Sequence, residues 1–195
     1  IRSANSLAGL NSQKKKSWVF YMIMQPDFII DKGRKNMKVL FGVDVGGTDI
    51  KLGAFDWKSQ KLLKKWAIKT DLSNEGKQII PDVAKEIQSY LCENALSEAD
   101  VYGIGMGIPG PVDKDGNVEV CVNLFWNNFN PAEEMRKFFP HAYIQTGNDA
   151  NVAALGEFVQ GAGRKYKTMM LITLGTGVGG GIILNGDIVL GASDQ

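Results

Sequence analysis

This sequence of 195 residues has little of what several classes of function require. It contains one histidine, His141, and two cysteines, Cys92 and Cys121. A lone histidine that follows a proline in a connection argues against a histidine-based catalytic triad. The two cysteines have no metal-ligand spacing and are too few for a disulfide scaffold, so we expect them to be packing residues. Their scarcity favours a reducing compartment and predicts a cytoplasmic location.

An excess of charge of one sign is also missing. The chain has 22 Lys and Arg residues against 21 Asp and Glu residues, for a net charge of +1. A protein that binds nucleic acid usually carries a strongly basic patch, so no nucleic-acid partner is expected. Any recognition of phosphate must therefore come from local geometry.

Long apolar runs are absent as well. No stretch approaches the ~20 apolar residues that a membrane-spanning helix requires. Residues 18–24 follow three lysines as the apolar part of a secretion signal would, but the run is short and has no small-residue cleavage site. We expect no membrane partner, and we expect residues 1–36 to be an irregular extension, because MKVLFGVDVGGT at Met37 begins as a first strand would.

What the chain does have is a globular composition, with 44% apolar and 22% charged residues. Apolar periodicity and turn residues divide it into alternating strands and helices, which is typical of an α/β fold. Asn123, Phe125 and Trp126 are expected to lie in a loop. Strands are predicted at residues 39–45, 50–55, 62–68, 101–108, 142–145, 168–174 and 181–184, and helices at 77–95, 131–139 and 148–160.

The first glycine turn, DVGGT, begins at Asp44. Gly46 and Gly47 can adopt positive φ and let an anion approach the backbone amides, and Thr48 can add a hydroxyl donor. Asp44, at the end of a strand, could hold a hydrated magnesium ion. The alternative is an ordinary hairpin with no ligand. Lys51 could face phosphate or solvate the strand edge, and solvation is the favoured interpretation.

The second glycine turn, GTGVGG, matches the dinucleotide fingerprint, but that interpretation requires the turn to open a helix. Here the glycines lead into an apolar run and then Asn185 and Gly186, a strong hairpin signal. The pattern of strand, glycine turn and strand therefore occurs twice, which suggests a duplicated lobe. The phosphate-binding residues predicted in this second turn are Gly175, Thr176, Gly177 and Gly179.

Asn148 and Asp149 lie between the two glycine turns, at the head of a predicted helix. Both residue types are favoured helix caps, and either could serve only as a cap. A carboxylate between two phosphate-binding turns could instead accept the proton of an attacking hydroxyl. Glu157 is expected to lie on the helix surface rather than to act as a base.

Four segments together resemble the ROK family (repressor, open reading frame, kinase). They are DVGGTDIK, GIGMGIPGPVD, NDANVAALGE and ITLGTGVGGGIILNG, in that order across residues 37–191. The resemblance implies the actin-like (ribonuclease-H-like) α/β sugar kinase fold, in which two lobes close on a sugar and ATP with Mg²⁺. We then expect a complete first lobe at residues 37–146 and an incomplete second lobe at residues 147–195.

The resemblance also implies roles for individual residues. Asp149 matches the catalytic aspartate that takes the proton from the sugar hydroxyl. The sugar-binding residues would be Asp149 itself, Asn148, Gly110 and Asn123. The ATP-binding residues would be Asp44, which also positions magnesium through water, Gly46, Gly47, Thr48, Gly175, Thr176, Gly177 and Gly179.

The sequence departs from the family pattern in three ways. The glutamate and histidine that grip the sugar and the cysteine-rich zinc site do not occur by residue 195, so zinc is expected only in a missing carboxyl-terminal part, and this fragment alone is expected to be inactive. Asp49 adds a carboxylate that must point away from phosphate. Residues 1–36 are too short for the helix-turn-helix of family repressors.

The favoured function is ATP-dependent phosphorylation of a hexose, with glucose as the first candidate. A sugar-sensing binding protein or repressor without useful catalysis is the alternative, as is a kinase for another sugar such as N-acetylhexosamine or fructose. Family members commonly pair, so a homodimer is possible.

Overall fold

The computed structural model describes residues 37–174 and 177–190, so the predicted extension at residues 1–36 lies outside the described part. Ten strands and three α-helices follow one another within these ranges. The helices are α1 (Ile79–Glu93), α2 (Pro131–Arg136) and α3 (Asp149–Val159). The strands are β1 (Val39–Val45), β2 (Asp49–Asp56), β3 (Leu62–Lys69), β4 (Val101–Ile108), β5 (Val118–Cys121), β6 (Trp126–Phe129), β7 (Tyr143–Asn148), β8 (Met169–Leu174), β9 (Val178–Leu184) and β10 (Asp187–Ile188).

Five strands form the main sheet in the order β3-β2-β1-β4-β7. The hairpin of β1 and β2 is antiparallel, as the glycine turn between them predicts, whereas β4 and β7 run parallel to β1. The carboxyl ends of β1, β4 and β7 therefore meet at one edge of the sheet. Ligands of open α/β sheets commonly bind at such an edge.

One face of this sheet packs on α1 and forms the core. The period of two along β1 and the helical spacing along α1 place their apolar side chains on facing surfaces. Pro81 lies in the first turn of α1, where a backbone N–H has no partner within the helix, so the missing N–H of proline costs no hydrogen bond. Buried residues of these two elements are Val39, Phe41, Val43, Ile79, Val83 and Ile87.

The opposite face of the sheet is rich in glycine and packs on α3. A Cβ atom added at Gly107 would lie 3.9 Å from Val152 Cβ, and one added at Gly147 would lie 3.2 Å from Val152 Cγ2. The absence of side chains at these two glycines thus lets α3 approach the ends of β4 and β7. The amino terminus of α3 is held at the edge where the strands end.

The second predicted hairpin is formed by β8 and β9, with β10 as a third, antiparallel strand. Asn185 and Gly186 connect β9 to β10 with φ of 54° and 92°, the left-handed pair that a tight hairpin needs. Strand β9 begins at Val178 rather than at residue 181, because Gly179 and Gly180 pair with β8.

The small sheet buries only one of its faces. On the other face, Met170, Ile172 and Leu174 expose more than half of their side-chain surface.

No helix in the described part of the chain is both long and apolar enough to cross a membrane.

The segment around Asn123, Phe125 and Trp126, predicted to be a loop, is in fact part of a second small hairpin. Strands β5 and β6 are antiparallel and are joined by a single 3₁₀ turn at Val122–Leu124. Two neighbouring boundaries also differ from expectation, since α2 ends at Arg136 and β7 continues to Asn148.

Candidate active site

The predicted catalytic and metal-binding carboxylates lie on either side of one glycine. Gly107 of β4 is in register with Asp44 of β1, which places their Cα atoms about 5 Å apart. A Cβ atom at Gly107 would lie 3.5 Å from Asp149 Cα. The fold therefore brings together two acids that are separated by more than one hundred residues in the sequence.

Asn148 forms the amino-terminal cap of α3. Its Oδ1 accepts hydrogen bonds from the Ala150 and Asn151 backbone N–H groups at 3.0 and 3.2 Å. Its Nδ2 donates to the Gly110 carbonyl at 3.1 Å. Two predicted sugar-binding residues, Asn148 and Gly110, are thus in direct contact.

Asp149 is the first residue of α3 and is partly exposed. Its Oδ1 accepts from the Ala150 N–H at 2.7 Å. Across residues 37–174 and 177–190, no ion pair engages this carboxylate. An ionised carboxylate with an open lone pair is what a general base requires.

Cys121 forms part of the wall beside these residues. The thiol donates to the Pro109 carbonyl at 3.3 Å, and a Cβ atom at Gly110 would lie 3.5 Å from Sγ. Burial raises the pKa of Cys121, and the nearby charge of Asp149 raises it further, while hydrogen bonds from the backbone of residues 123 and 124 oppose the shift. Cys121 is a packing residue as predicted, whereas Cys92 is exposed, so the prediction for Cys92 is wrong.

These two thiols should differ sharply in reactivity. The thiolate is the form that reacts with an alkylating reagent, and Cys121 is both 2% exposed and shifted toward the neutral thiol. We expect iodoacetamide to modify Cys92 in the native protein at pH 8 and Cys121 only after denaturation. Peptide mass spectrometry checks this, and early modification of Cys121 would contradict the burial described for it.

Asn123 is exposed and lies in the 3₁₀ turn between β5 and β6. A Cβ atom at Gly47 would lie 3.3 Å from the Asn123 carbonyl oxygen. The turn that carries a predicted sugar-binding residue therefore touches the predicted phosphate-binding turn.

The DVGGT turn differs in detail from the prediction. Gly46 and Gly47 do not have positive φ; among described glycines only Gly76, Gly116 and Gly186 do. The turn is closed by the Gly46 N–H, which donates to the Asp49 carbonyl at 3.1 Å and so does not face an anion. A Cβ atom at Gly46 would lie 2.7 Å from that carbonyl, so glycine is required there by close approach of the backbone.

Asp44 makes an ion pair with Lys51, its cross-strand neighbour. Lys51 Nζ lies 3.2 Å from Asp44 Oδ2, and its side chain is 58% exposed, so this lysine faces solvent as predicted and also pairs with Asp44. Asp49 is paired with Lys69 at 2.8 Å. Both pairs are well exposed and contribute little to stability. Their effect is to balance charge around the turn.

The donor set at this edge fits a magnesium ion held mainly by water and phosphate oxygens. The Asp44 side chain is 55% exposed, and Mg²⁺ binds through one or two carboxylates while keeping several waters. Within the described ranges there is no cluster of three or more His, Cys, Asp or Glu residues that could hold a metal. An all-protein metal cage is therefore not formed by these residues.

The second glycine turn is described only in part, because Gly175 and Thr176 lie outside the described residues. Gly177 is exposed, with no neighbour within 4 Å of a Cβ position. A Cβ atom at Gly179 would lie 3.1 Å from Ala150 Cβ. The start of β9 thus packs on the first turn of α3, next to Asp149, and the glycines join strands rather than open a helix.

Two cavities flank this edge of the sheet. One of about 540 Å³ lies between the sheet and α3, with Asp44 and Lys51 among its lining residues. The other, of about 560 Å³, lies beside the turn of Asn123 and is lined in part by Cys121 and Phe125. Sequence reasoning identified neither Cys121 nor Phe125 as a wall residue, because nothing in their spacing marks them.

Comparison with known proteins identifies the family of this chain. Residues 40–194 match the ROK family. A glucokinase of Halalkalibacterium halodurans is 42% identical over 153 residues, which cover 78% of this chain and 46% of that protein. An N-acetyl-D-glucosamine kinase of Yersinia pseudotuberculosis is 34% identical over 154 residues, which cover 77% of this chain and 48% of that protein.

A solved structure of similar fold is that of a ROK family glucokinase from Streptomyces griseus in complex with glucose and AMPPNP. It superposes with a TM-score of 0.64 at 29% identity, covering 80% of this chain and 49% of that one. The predicted actin-like α/β fold is confirmed. The chain spans about half the length of the curated relatives that it matches.

Proposed function

Because the chain belongs to the ROK family, we propose that it is the amino-terminal part of an ATP-dependent sugar kinase. The reaction would move the γ-phosphoryl group of ATP to a hydroxyl of a hexose. In this assignment residues 37–146 form the first lobe, and residues 147–195 begin the second. A kinase of this kind needs mainly alignment of its substrates and neutralisation of charge.

The observation that carries the proposal is the position of Gly107 between Asp44 and Asp149. Asp44 lies two residues before Gly46 and is in register with Gly107, and Asp149 begins a helix with its Cα 3.5 Å from a Cβ position at Gly107. A sugar hydroxyl held near Asp149 would then lie close to the terminal phosphate of an ATP molecule held at the turn. Such closeness favours transfer between bound groups.

Each residue then has a role. Asp149 accepts the proton of the sugar hydroxyl, and Asn148 orients the sugar while it caps α3. Gly110 and Asn123 line the sugar site, and Asp44 positions magnesium through water. Bound Mg²⁺ supplies positive charge that neutralises the phosphates. The turn residues that would line the ATP site are Gly46, whose own N–H is bonded to the Asp49 carbonyl, and Gly47, Thr48, Gly175, Thr176, Gly177 and Gly179.

Glucose is the first candidate substrate because a glucokinase is 42% identical to this chain. N-acetylhexosamines are the second, because relatives named as kinases of N-acetylglucosamine and N-acetylgalactosamine are 34% and 32% identical. We further propose a cytoplasmic protein that acts on small molecules, without nucleic acid or membrane partners, and that can form a homodimer.

A panel of sugars in a coupled assay of ADP release tests this function. We expect the full-length protein to release ADP with glucose or with one N-acetylhexosamine, and to do so only when Mg²⁺ is present. Omission of the sugar is the control for simple ATP hydrolysis. If no hexose raises ADP release above that control, the kinase assignment fails, and binding of sugar without ADP release would support a sugar sensor instead.

A further inference from the structure

Thr70, which follows β3 directly, makes two hydrogen bonds to the DVGGT turn. Its hydroxyl Oγ1 donates to the Gly46 carbonyl at 2.6 Å. Its backbone N–H donates to the Thr48 carbonyl at 3.0 Å. Thr70, 24 positions after Gly46, thus holds two backbone carbonyls of the turn at the tip of the β1–β2 hairpin.

These bonds fix the direction of the amides in the turn. The C=O and N–H of one trans peptide unit point in opposite directions, and the described residues contain no cis peptide. When Thr70 holds the Gly46 carbonyl, the N–H of Gly47 is turned to the opposite side. Gly47 also lies against the turn of Asn123, since its Cβ position is 3.3 Å from the Asn123 carbonyl oxygen.

A tip of two glycines has no side chains of its own to hold it in place. Glycine loses more conformational freedom on folding than any other residue, so Gly46 and Gly47 left alone would sample several orientations of their amides. The Gly46–Asp49 bond closes the hairpin but does not restrain the Gly46 carbonyl. The hydroxyl of Thr70 supplies that restraint.

We propose that Thr70 is a positioning residue that orients the Gly47 amide toward the phosphates of bound nucleotide. This inference rests on the proposed kinase function for the identity of the ligand. The two hydrogen bonds from Thr70 to the turn, here called the clamp, are present in the chain without ligand. Thr70 touches no substrate. It acts through the backbone of the turn.

Substitution T70V removes the hydroxyl but keeps the shape of the side chain and the backbone N–H, whereas T70S keeps the hydroxyl. The matched control is T146V, which removes a threonine hydroxyl bonded to another glycine carbonyl, that of Gly116, at 3.3 Å. All three variants have one methyl or hydroxyl changed and keep the backbone bonds of the turn.

Hydrogen exchange followed by mass spectrometry on peptides covering residues 44–52 measures the clamp without ligand. Loss of one hydrogen bond should speed exchange there about three- to tenfold in T70V. The T70S and T146V variants should exchange like the wild type at these residues. Unchanged exchange in T70V would overturn the inference.

Steady-state kinetics of the full-length protein measure the consequence for nucleotide. We expect kcat/KM for ATP to fall about three- to tenfold in T70V, while KM for the sugar is unchanged and T70S restores the wild-type value. Faster exchange with unchanged kcat/KM for ATP would overturn the positioning role, as would an equal rise in KM for both substrates. A wild type that transfers no phosphate would instead refute the proposed function, together with the nucleotide role of Thr70.

Discussion

Substitution D149N in the full-length protein should reduce sugar-dependent ADP release by about a hundred- to ten-thousandfold, the range that a general base contributes. The amide cannot accept the proton of the attacking hydroxyl. Its Oδ1 can still accept from the Ala150 N–H, as the carboxylate does, so the start of α3 is preserved. The effect should appear in kcat rather than in the KM for either substrate.

The matched control is E157Q, an acid on the same helix. Glu157 Oε2 accepts from the Ala162 N–H at 3.0 Å, far along α3 from the strand ends, and its neutralisation should leave turnover unchanged. Circular dichroism melts of both variants would separate loss of chemistry from loss of fold. Near-normal turnover in D149N would end the assignment of Asp149 as the base.

Substitution G76A should destabilise the chain by about 3 kcal/mol, the largest loss of stability that we expect from a single methyl group. Gly76 has φ of 65°, a conformation that costs an L-residue about 1–2 kcal/mol. A Cβ atom there would lie 2.2 Å from the Leu124 carbonyl oxygen. The backbone must shift to remove this overlap, which lowers the free energy of unfolding by about 1–3 kcal/mol more. The Gly76 carbonyl also accepts the Trp126 indole N–H at 3.0 Å.

The consequence reaches the candidate site, because Leu124 directly follows Asn123. Movement of the Leu124 backbone would displace the turn that touches Gly47. We therefore expect G76A to weaken sugar binding as well as stability.

Substitution G156A is the opposite control. Gly156 lies inside α3 with no neighbour within 4 Å of its Cβ position, so alanine should stabilise by about 0.5–1 kcal/mol. Urea unfolding of the 195-residue chain measures both variants. A G76A midpoint equal to that of the wild type would show that the 74–76 turn does not pack on Leu124 as described.

Much of the fold could be predicted because each main element has a strong local pattern. Residues 39–45 and 101–108 are apolar runs bounded by turn residues, and the structure begins and ends these strands at the same positions. Asn185 and Gly186 predicted the β9–β10 hairpin, since only a few residue types tolerate two positive φ values in succession.

The hairpin of β5 and β6 could not be predicted, because its strands are only four residues long and β6, WNNF, shows no alternation of apolar and polar residues. Pairing across the hairpin stabilises them, and that contact is not visible in a local window. The end of α2 was also misplaced, since Phe138 and Phe139 continue the apolar pattern beyond the helix.

In the candidate site, the sequence indicated Asp149 and Asp44, because an acid at a helix start and an acid at a strand end have recognisable neighbours. It could not indicate Thr70, whose bond to Gly46 spans 24 residues and joins a side chain to the backbone. It also gave the wrong reason for Gly46, since a glycine required by close contact looks the same in sequence as one required by positive φ.

The most direct measurement is a crystal structure of the full-length protein with its sugar and a non-hydrolysable ATP analogue. The account predicts that an Asp149 oxygen lies about 3 Å from one sugar hydroxyl, with the terminal phosphate between that hydroxyl and the turn of Gly46, Gly47 and Thr48. A sugar bound away from the amino terminus of α3, or Asp149 turned toward bulk solvent in the complex, would contradict it.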